Sequence, residues 1–227
     1  PAAQGDSTQV QHGQTGQMAR RHYILAEMKR LLLILLVLAA VLAWREWRHS
    51  EIVHPPGILV TERPRQSDPG RAAALDLEGY RLTRRARFEV RARVLSRRDY
   101  RWGDEADLAP VDLALGWGVM SDQAVLDRIE ITQGGRWYFT RYQLPAPIPD
   151  RDIIRHSGNM HMVPASRSVL RELKKVRRGD IVRARGYLVD VDGVSGFRWR
   201  TSLSRNDTGG GSCEIFYLEQ FEIEVRS

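Results

Sequence analysis

The feature that most constrains this chain is an unbroken apolar run, Leu31 to Trp44, at the end of MKRLLLILLVLAAVLAW (residues 28–44). Lys29 and Arg30 stand directly before it. A basic stretch followed by an apolar one is the pattern of an export signal, so the chain beyond the run is expected across a membrane from the chain before it. At 1.5 Å per residue the run spans about 21 Å, short of a hydrocarbon core of about 30 Å. That shortness suits a cleaved signal peptide, and Val41-Leu42-Ala43 supplies small residues before a cut at Trp44. Trp44 and Trp47 suit an interfacial aromatic belt instead, and Arg45 and Arg48 can reach headgroups and lengthen the span. The expectation is an uncleaved single-pass anchor in a bacterial inner membrane with the main domain in the periplasm. The alternative is a soluble periplasmic protein after cleavage. Arg20, Arg21, Lys29 and Arg30 outnumber Arg45 and Arg48, which places the N-terminus in the cytoplasm.

Residues 1–27 are polar, rich in Gln and Gly and aperiodic, and are expected to be a disordered or upstream segment, with the natural start at Met28. Residues 28–48 form the signal peptide or anchor helix. Residues 49–70 read as a linker, because Pro55, Pro56, Pro64 and Pro69 with Gly57 and Gly70 forbid a regular element. Residues 71–227 form a β-rich exported domain.

The exported part has enough residues to bury about 70% of its unfolded surface. A single Cys, Cys213, excludes an intrachain disulfide framework. The net charge of +7 invites a nucleic-acid reading, but from Ile58 onward 29 Lys and Arg meet 24 Asp and Glu, which argues against it. The densest basic stretch is Arg167, Arg171, Lys174, Lys175, Arg177, Arg178, Arg183 and Arg185, with only Glu172 and Asp180 among them. It reads as a solvated face, or as a patch for anionic headgroups.

Strict alternation from Arg81 to Leu95 predicts a strand with Phe88, Val90, Ala92 and Val94 buried and Arg87, Glu89, Arg91 and Arg93 solvated. Arg97 to Pro110 reads as a long loop. Val111 to Met120 reads as a buried strand or turn broken by Gly116 and Gly118, with Ser121 capping a short helix. Ile129–Tyr142 reads as a hairpin about Gly134-Gly135, and Ser166 or Ser168 caps a helix through Lys175. Arg178-Gly179-Asp180 turns into a strand, Ile181 to Val191, whose Gly186 marks a bulge or barrel corner. Gly196–Leu203 and Cys213–Val225 complete the strands, the latter apolar on both faces. The fold class is therefore β-rich α+β: the anchor helix, then one small curved β-barrel or sandwich with one or two short helices. The run Leu173–Val191 gives it an OB-like character.

Two segments are too particular for ordinary loops, His156-Ser157-Gly158-Asn159-Met160-His161-Met162-Val163-Pro164-Ala165 and Asn206-Asp207-Thr208-Gly209-Gly210-Gly211-Ser212-Cys213-Glu214. Together with Arg98-Asp99-Tyr100-Arg101 and Ala109-Pro110-Val111-Asp112-Leu113-Ala114-Leu115-Gly116-Trp117-Gly118, they make the chain resemble a family of uncharacterised bacterial proteins with a short N-terminal hydrophobic segment. The resemblance covers most of the chain after Met28. It implies membrane association and carries over no catalytic residue.

The candidate ligand-binding residues are His156, Ser157, Asn159, His161, Asp207, Thr208 and Cys213, on two segments expected to lie against each other. His156, His161 and Cys213 are ligand types for zinc, but a spacing of five puts the two His on opposite faces of a strand. Hydrogen-bonding loop residues are the plainer reading, and the metal question stays open. Gly209-Gly210-Gly211 lacks phosphate-loop spacing, and Asp99, Asp104, Glu105, Asp107 and Asp112 lack calcium-loop order, so no cofactor is expected. The expected function is a non-enzymatic, membrane-tethered binding or assembly module with a protein partner in the envelope. The alternative is an exported hydrolase, metal- or Cys/His-dependent, that uses the His156–His161 and Asp207–Cys213 loops.

Overall fold

The computed structural model describes residues 27–44, 46, 50–71, 74–77, 79–204 and 213–224. The chain divides into two compact units, residues 1–49 and 50–227. In the first, residues 27–44 are helical (α1), and the large apolar side chains from Leu31 to Trp44 are exposed. Glu27, Lys29 and Arg30 occupy the first turn of α1, which leaves the apolar part short. Among the described residues no helix is long and apolar enough to cross a membrane. The readings placed on residues 1–26 and on Arg45, Trp47 and Arg48 fall outside the described residues.

The second unit is β-rich with few helices. Its strands are β1 (Arg65–Ser67), β2 (Leu75–Leu77), β3 (Tyr80–Asp99), β4 (Val111–Gly116), β5 (Ile129–Gly134), β6 (Trp137–Tyr142), β7 (Ser157–Pro164), β8 (Ile181–Asp192), β9 (Arg198–Trp199) and β10 (Glu214–Ile223). Its α-helices are α2 (Asp104–Leu108), α3 (Gln123–Leu126), α4 (Asp150–Arg155) and α5 (Arg167–Leu173). A mixed eight-stranded sheet holds every strand but β5 and β6, which pair only with each other. Five of the eight pair in a ring: β3 with β4, β4 with β7, β7 with β10, β10 with β8, and β8 with β3. Only β7–β10 is parallel within that ring.

Alternation explains what the ring encloses. Phe88, Val90, Ala92 and Val94 of β3 meet Leu113 and Leu115 of β4, Met160 and Met162 of β7, Leu188 of β8 and Phe216 and Leu218 of β10. Phe88 and Phe216 pack edge to face at 5.0 Å. Each such side chain contributes about 1.5–3 kcal/mol by leaving water. A second cluster, with Val163, Val189, Val191 and Ile215, covers the opposite face of β7, β8 and β10, so β10 is buried on both faces as its sequence requires. A third joins Leu95 and Ala114 to Ile129 and Ile131 of the hairpin. Leu95 faces that cluster by alternation with Val94, and the β3–β4 register shifts beside it, between Val94 and Ser96. The bulge expected near Gly186 is present: β10 slips between Leu218 and Gln220, opposite Gly186 and Arg185.

Several sequence expectations need correction. Arg93 is 1% exposed, not solvated, because its guanidinium donates to Ser121 O (3.2 Å) and to Gln123 Oε1. The presumed loop 97–110 is the end of β3 followed by α2. The cap of α3 is Asp122, whose side chain accepts from Ala124 N at 2.9 Å; Ser121 is buried and accepts from Leu59 N and Val60 N instead. Only Arg198–Trp199 of the expected strand 196–203 pairs, and it pairs with β8.

The presumed linker carries no regular element before Arg65, as its prolines demand, yet it is no loose tether. Ile52 N donates to Arg178 O (2.8 Å), His54 N to Gln123 Oε1 (3.0 Å) and Gly57 N to Asp122 Oδ1 (2.9 Å). Val60 is fully buried, and β1 pairs with β3. Residues 50–67 are a strap across the domain, held because its backbone donors find fixed acceptors.

Candidate functional site

With Met160 and Met162 inside the ring, the period of two turns Ser157, Asn159 and His161 of β7 to the other face. Antiparallel β4 sets Asp112 opposite His161 and Ala114 opposite Asn159. Parallel β10 pairs Glu214 with Met160, which brings Cys213 beside Asn159. The two singled-out segments therefore lie side by side where both are described. The first is a strand rather than a loop.

The β5–β6 hairpin closes over this face. Its turn residues Gly135 and Arg136 have φ values of 57° and 68°, the left-handed pair that a two-residue hairpin turn needs. Gln133 Nε2 donates to Asn159 Oδ1 at 2.7 Å, and Asn159 Nδ2 donates to Arg136 O at 2.9 Å. The Cys213 thiol donates to the same carbonyl at 3.6 Å. Ser157 Oγ lies 2.9 Å from the Tyr138 hydroxyl and donates to Ile153 O at 2.6 Å. Burial pushes the phenols of Tyr138 and Tyr100 above the ordinary tyrosine pKa, which keeps both protonated at neutral pH.

Arg136 is the hub. Nη1 donates to Asp112 Oδ1 (2.7 Å) and to Ala109 O (2.9 Å), and Nε lies 3.4 Å from Glu105 Oε2. The guanidinium stacks 3.8 Å from the centre of the Tyr100 ring, and the Tyr100 hydroxyl accepts from Arg136 N at 3.0 Å. His161 Nδ1 is 3.0 Å from Asp112 Oδ1 without hydrogen-bond alignment, and its ring packs 4.6 Å from Trp199. Asp112 is 0% exposed, with Asn159 and His161 at 2%. A carboxylate sealed so completely is tolerable only with its cation beside it.

His156 stands apart from this cluster. Its Nδ1 faces Asp152 O at 2.8 Å, and its ring lies so close to Gly118 that a Cβ there would meet Cδ2 at 2.5 Å. His156, His161 and Cys213, the residue types that suit zinc, are thus divided, and among the described residues no group of three or more His, Cys, Asp or Glu is placed to hold a metal. Asp207 and Thr208 lie outside the described residues. The hydrolase alternative needs these side chains to converge in a cleft; His156 is turned elsewhere, while Asn159, His161 and Cys213 are packed under the hairpin. Two open grooves on the domain, of about 780 and 610 Å³, are lined by none of the seven candidates.

Three of the eight cations in the basic stretch 167–185 meet carboxylates from outside it, and a fourth meets Glu172 within it. Glu51 pairs with Arg178 (3.1 Å), Glu224 with Arg183 (3.1 Å) and Glu89 with Arg185 (3.8 Å), while Glu172 takes Lys175 (2.6 Å). The residues that sequence reasoning passed over are Arg136, Asp112, Gln133, Tyr100 and Trp199. Asp112 left a signal, as a lone acid in the otherwise apolar strand Val111–Gly116.

No family model matches the chain, and neither the curated proteins nor the solved structures compared with it yield a match.

The arrangement behaves chemically as a cross-brace between hairpin and ring. Asn159→Ala removes the acceptor of Gln133 and a donor to Arg136 O, and is expected to cost about 1–3 kcal/mol. Urea unfolding of residues 50–227 measures it, and an unchanged midpoint would show that the brace carries no stability.

Proposed function

We propose that this protein is a non-enzymatic, membrane-tethered binding or assembly module on the outer side of a bacterial inner membrane, built on an OB-like barrel. The observation that carries the reading is the exposed apolar surface from Leu31 to Trp44, which water does not tolerate without a cover. The resemblance to bacterial proteins with a short hydrophobic N-terminal segment agrees with it. The basic and aromatic residues at 45, 47 and 48 extend the short apolar part toward a spanning length.

Support for the OB-like reading comes from strand order. Numbering the ring strands by sequence, the first (β3) pairs with the second (β4) and fourth (β8), and the third (β7) runs parallel to the fifth (β10), with α5 between third and fourth. In such barrels ligands approach the outer face of the second and third strands. Here that face carries Asp112, Asn159 and His161, and the hairpin occupies it. Asn159, Asp112 and Arg136 are engaged with one another and with the hairpin, which favours a scaffold that presents its surface to an envelope protein over a site that turns over substrate.

Fractionation tests the tether. The full chain is expected in the membrane pellet after a carbonate wash, and a chain beginning at Ser50 in the soluble fraction. A Ser50 chain that still pellets quantitatively would defeat the single-anchor reading. A mature protein whose mass begins at Trp44 would replace anchoring with cleavage.

A further inference from the structure

Six chain steps separate Trp44 from Ser50, and such a stretch reaches no further than about 21 Å however it runs. Ser50 is fixed to the domain. Arg177 Nη2 donates to Ser50 Oγ at 2.6 Å and to Ser50 O at 3.1 Å. Glu51 pairs with Arg178 at 3.1 Å, Ile52 N donates to Arg178 O at 2.8 Å, and His54 Nε2 lies 2.8 Å from Gly179 O. The turn that receives the strap is shaped to do so. Gly179 has φ 90°, and a Cβ there would sit 2.0 Å from Ile52 O.

Beside that turn lies the groove of about 780 Å³, walled by the strap, α3 and the Tyr142–Leu144 end of the hairpin. Two of its lining side chains are strongly exposed and apolar, Val53 at 69% and Leu144 at 86%. Its charged lining is balanced, Arg128, Arg141 and Arg178 against Glu51, Asp127 and Glu130, with Arg141 paired to Glu130 at 3.7 Å. We propose that this face rests on the bilayer surface, with Val53 and Leu144 entering the headgroup layer. The inference rests on the membrane-tethered reading above. Two observations select lipid as the occupant: the covalent limit from the exposed apolar run to Ser50, and two strongly exposed apolar side chains beside the strap that Ser50 begins. Of the nearby basic stretch, Arg178, Arg183 and Arg185 already have carboxylate partners. Contact should therefore depend on the apolar pair more than on anionic lipid.

The test uses the full chain, with a benzophenone amino acid in place of Val53, Leu144 or, as a control remote in sequence, the equally exposed Val194. Each chain is reconstituted into vesicles of phosphatidylethanolamine and phosphatidylglycerol, floated, irradiated and digested for mass spectrometry. Lipid adducts at 53 and 144 with only background at 194 are the expected result. Repeating it with phosphatidylcholine vesicles should retain most of the adduct. Chains that float but give no lipid adduct at 53 and 144, or only adducts to protein, overturn the docking face while leaving the tether intact. A chain that does not float overturns the tether itself, and the docking face with it.

Discussion

Replacing Arg136 with alanine is expected to destabilise residues 50–227 by about 3–5 kcal/mol, the cost of stranding a buried charge. Asp112 is fully buried, and Arg136 Nη1 at 2.7 Å is its one aligned charged partner. Among the described residues its other oxygen, Oδ2, has no hydrogen-bond partner, and His161 Nδ1 at 3.0 Å is not aligned to donate. Loss of the guanidinium also removes the stack on Tyr100 and the bond to Ala109 O. The backbone contribution can be separated, because Arg136 sits at φ 68°, where a residue with a Cβ costs about 1–2 kcal/mol and glycine does not. Arg136→Gly should therefore be less damaging than Arg136→Ala while still losing the ion pair. Adding Asp112→Ala to Arg136→Ala should cost less than the two single losses together, since the second change removes the stranded charge. Urea midpoints for the four variants decide it. An Arg136→Ala chain within about 0.5 kcal/mol of the parent, the ordinary range for a surface change, would mean that Asp112 is solvated in solution.

What the sequence made legible follows the range of each interaction. The Phe88–Val94 alternation names the inner face of β3 correctly because strand periodicity is local, and Ser166 is recognisable as a cap because its partner, Val169 N, is three residues on. Gly186 and Gly179 could be flagged because a glycine inside or before a strand signals a close approach. Arg93 was misread for the opposite reason: the groups that allow its burial, Ser121 O and Gln123, lie about thirty residues away. The basic stretch misleads in the same manner, since Glu51 of the strap, Glu89 of β3 and Glu224 just past β10 reach it from distant parts of the chain. In the candidate site, Ser157, Asn159 and His161 already alternate with Gly158, Met160 and Met162, the mark of a strand covered on both faces. Their polar content suggested a loop. What makes that polar face stable is Arg136, brought by a hairpin more than twenty residues upstream, and nothing local to β7 announces it.

Gly186→Ala is expected to be the most damaging of the glycine changes inside the sheet. A Cβ at 186 would lie 1.9 Å from Tyr217 O, and both Tyr217 C and Glu219 N would stand near 3 Å. Every one of these atoms is backbone, so no side chain can swing aside, and β8 and β10 must separate at that point. Separation is resisted from the other side, because β3 pairs with β8 there, Phe88 opposite Gly186. Overpacking of a core by one methyl typically costs about 1–3 kcal/mol and occasionally more. A clash with fixed backbone at the bulge belongs at or above the upper end of that range. At roughly 2–4 °C per kcal/mol for a unit of this size, the thermal midpoint should fall by about 6–12 °C. Gly134→Ala is the matched control, since a Cβ there meets nothing within 4 Å. If the two variants melt together, the bulge is loose enough to absorb a methyl group, and β8–β10 is not a tight seam of the ring. If only Gly186→Ala falls, the slip at Leu218–Gln220 exists to let β10 approach β8 this closely, and glycine at 186 is what closes the ring.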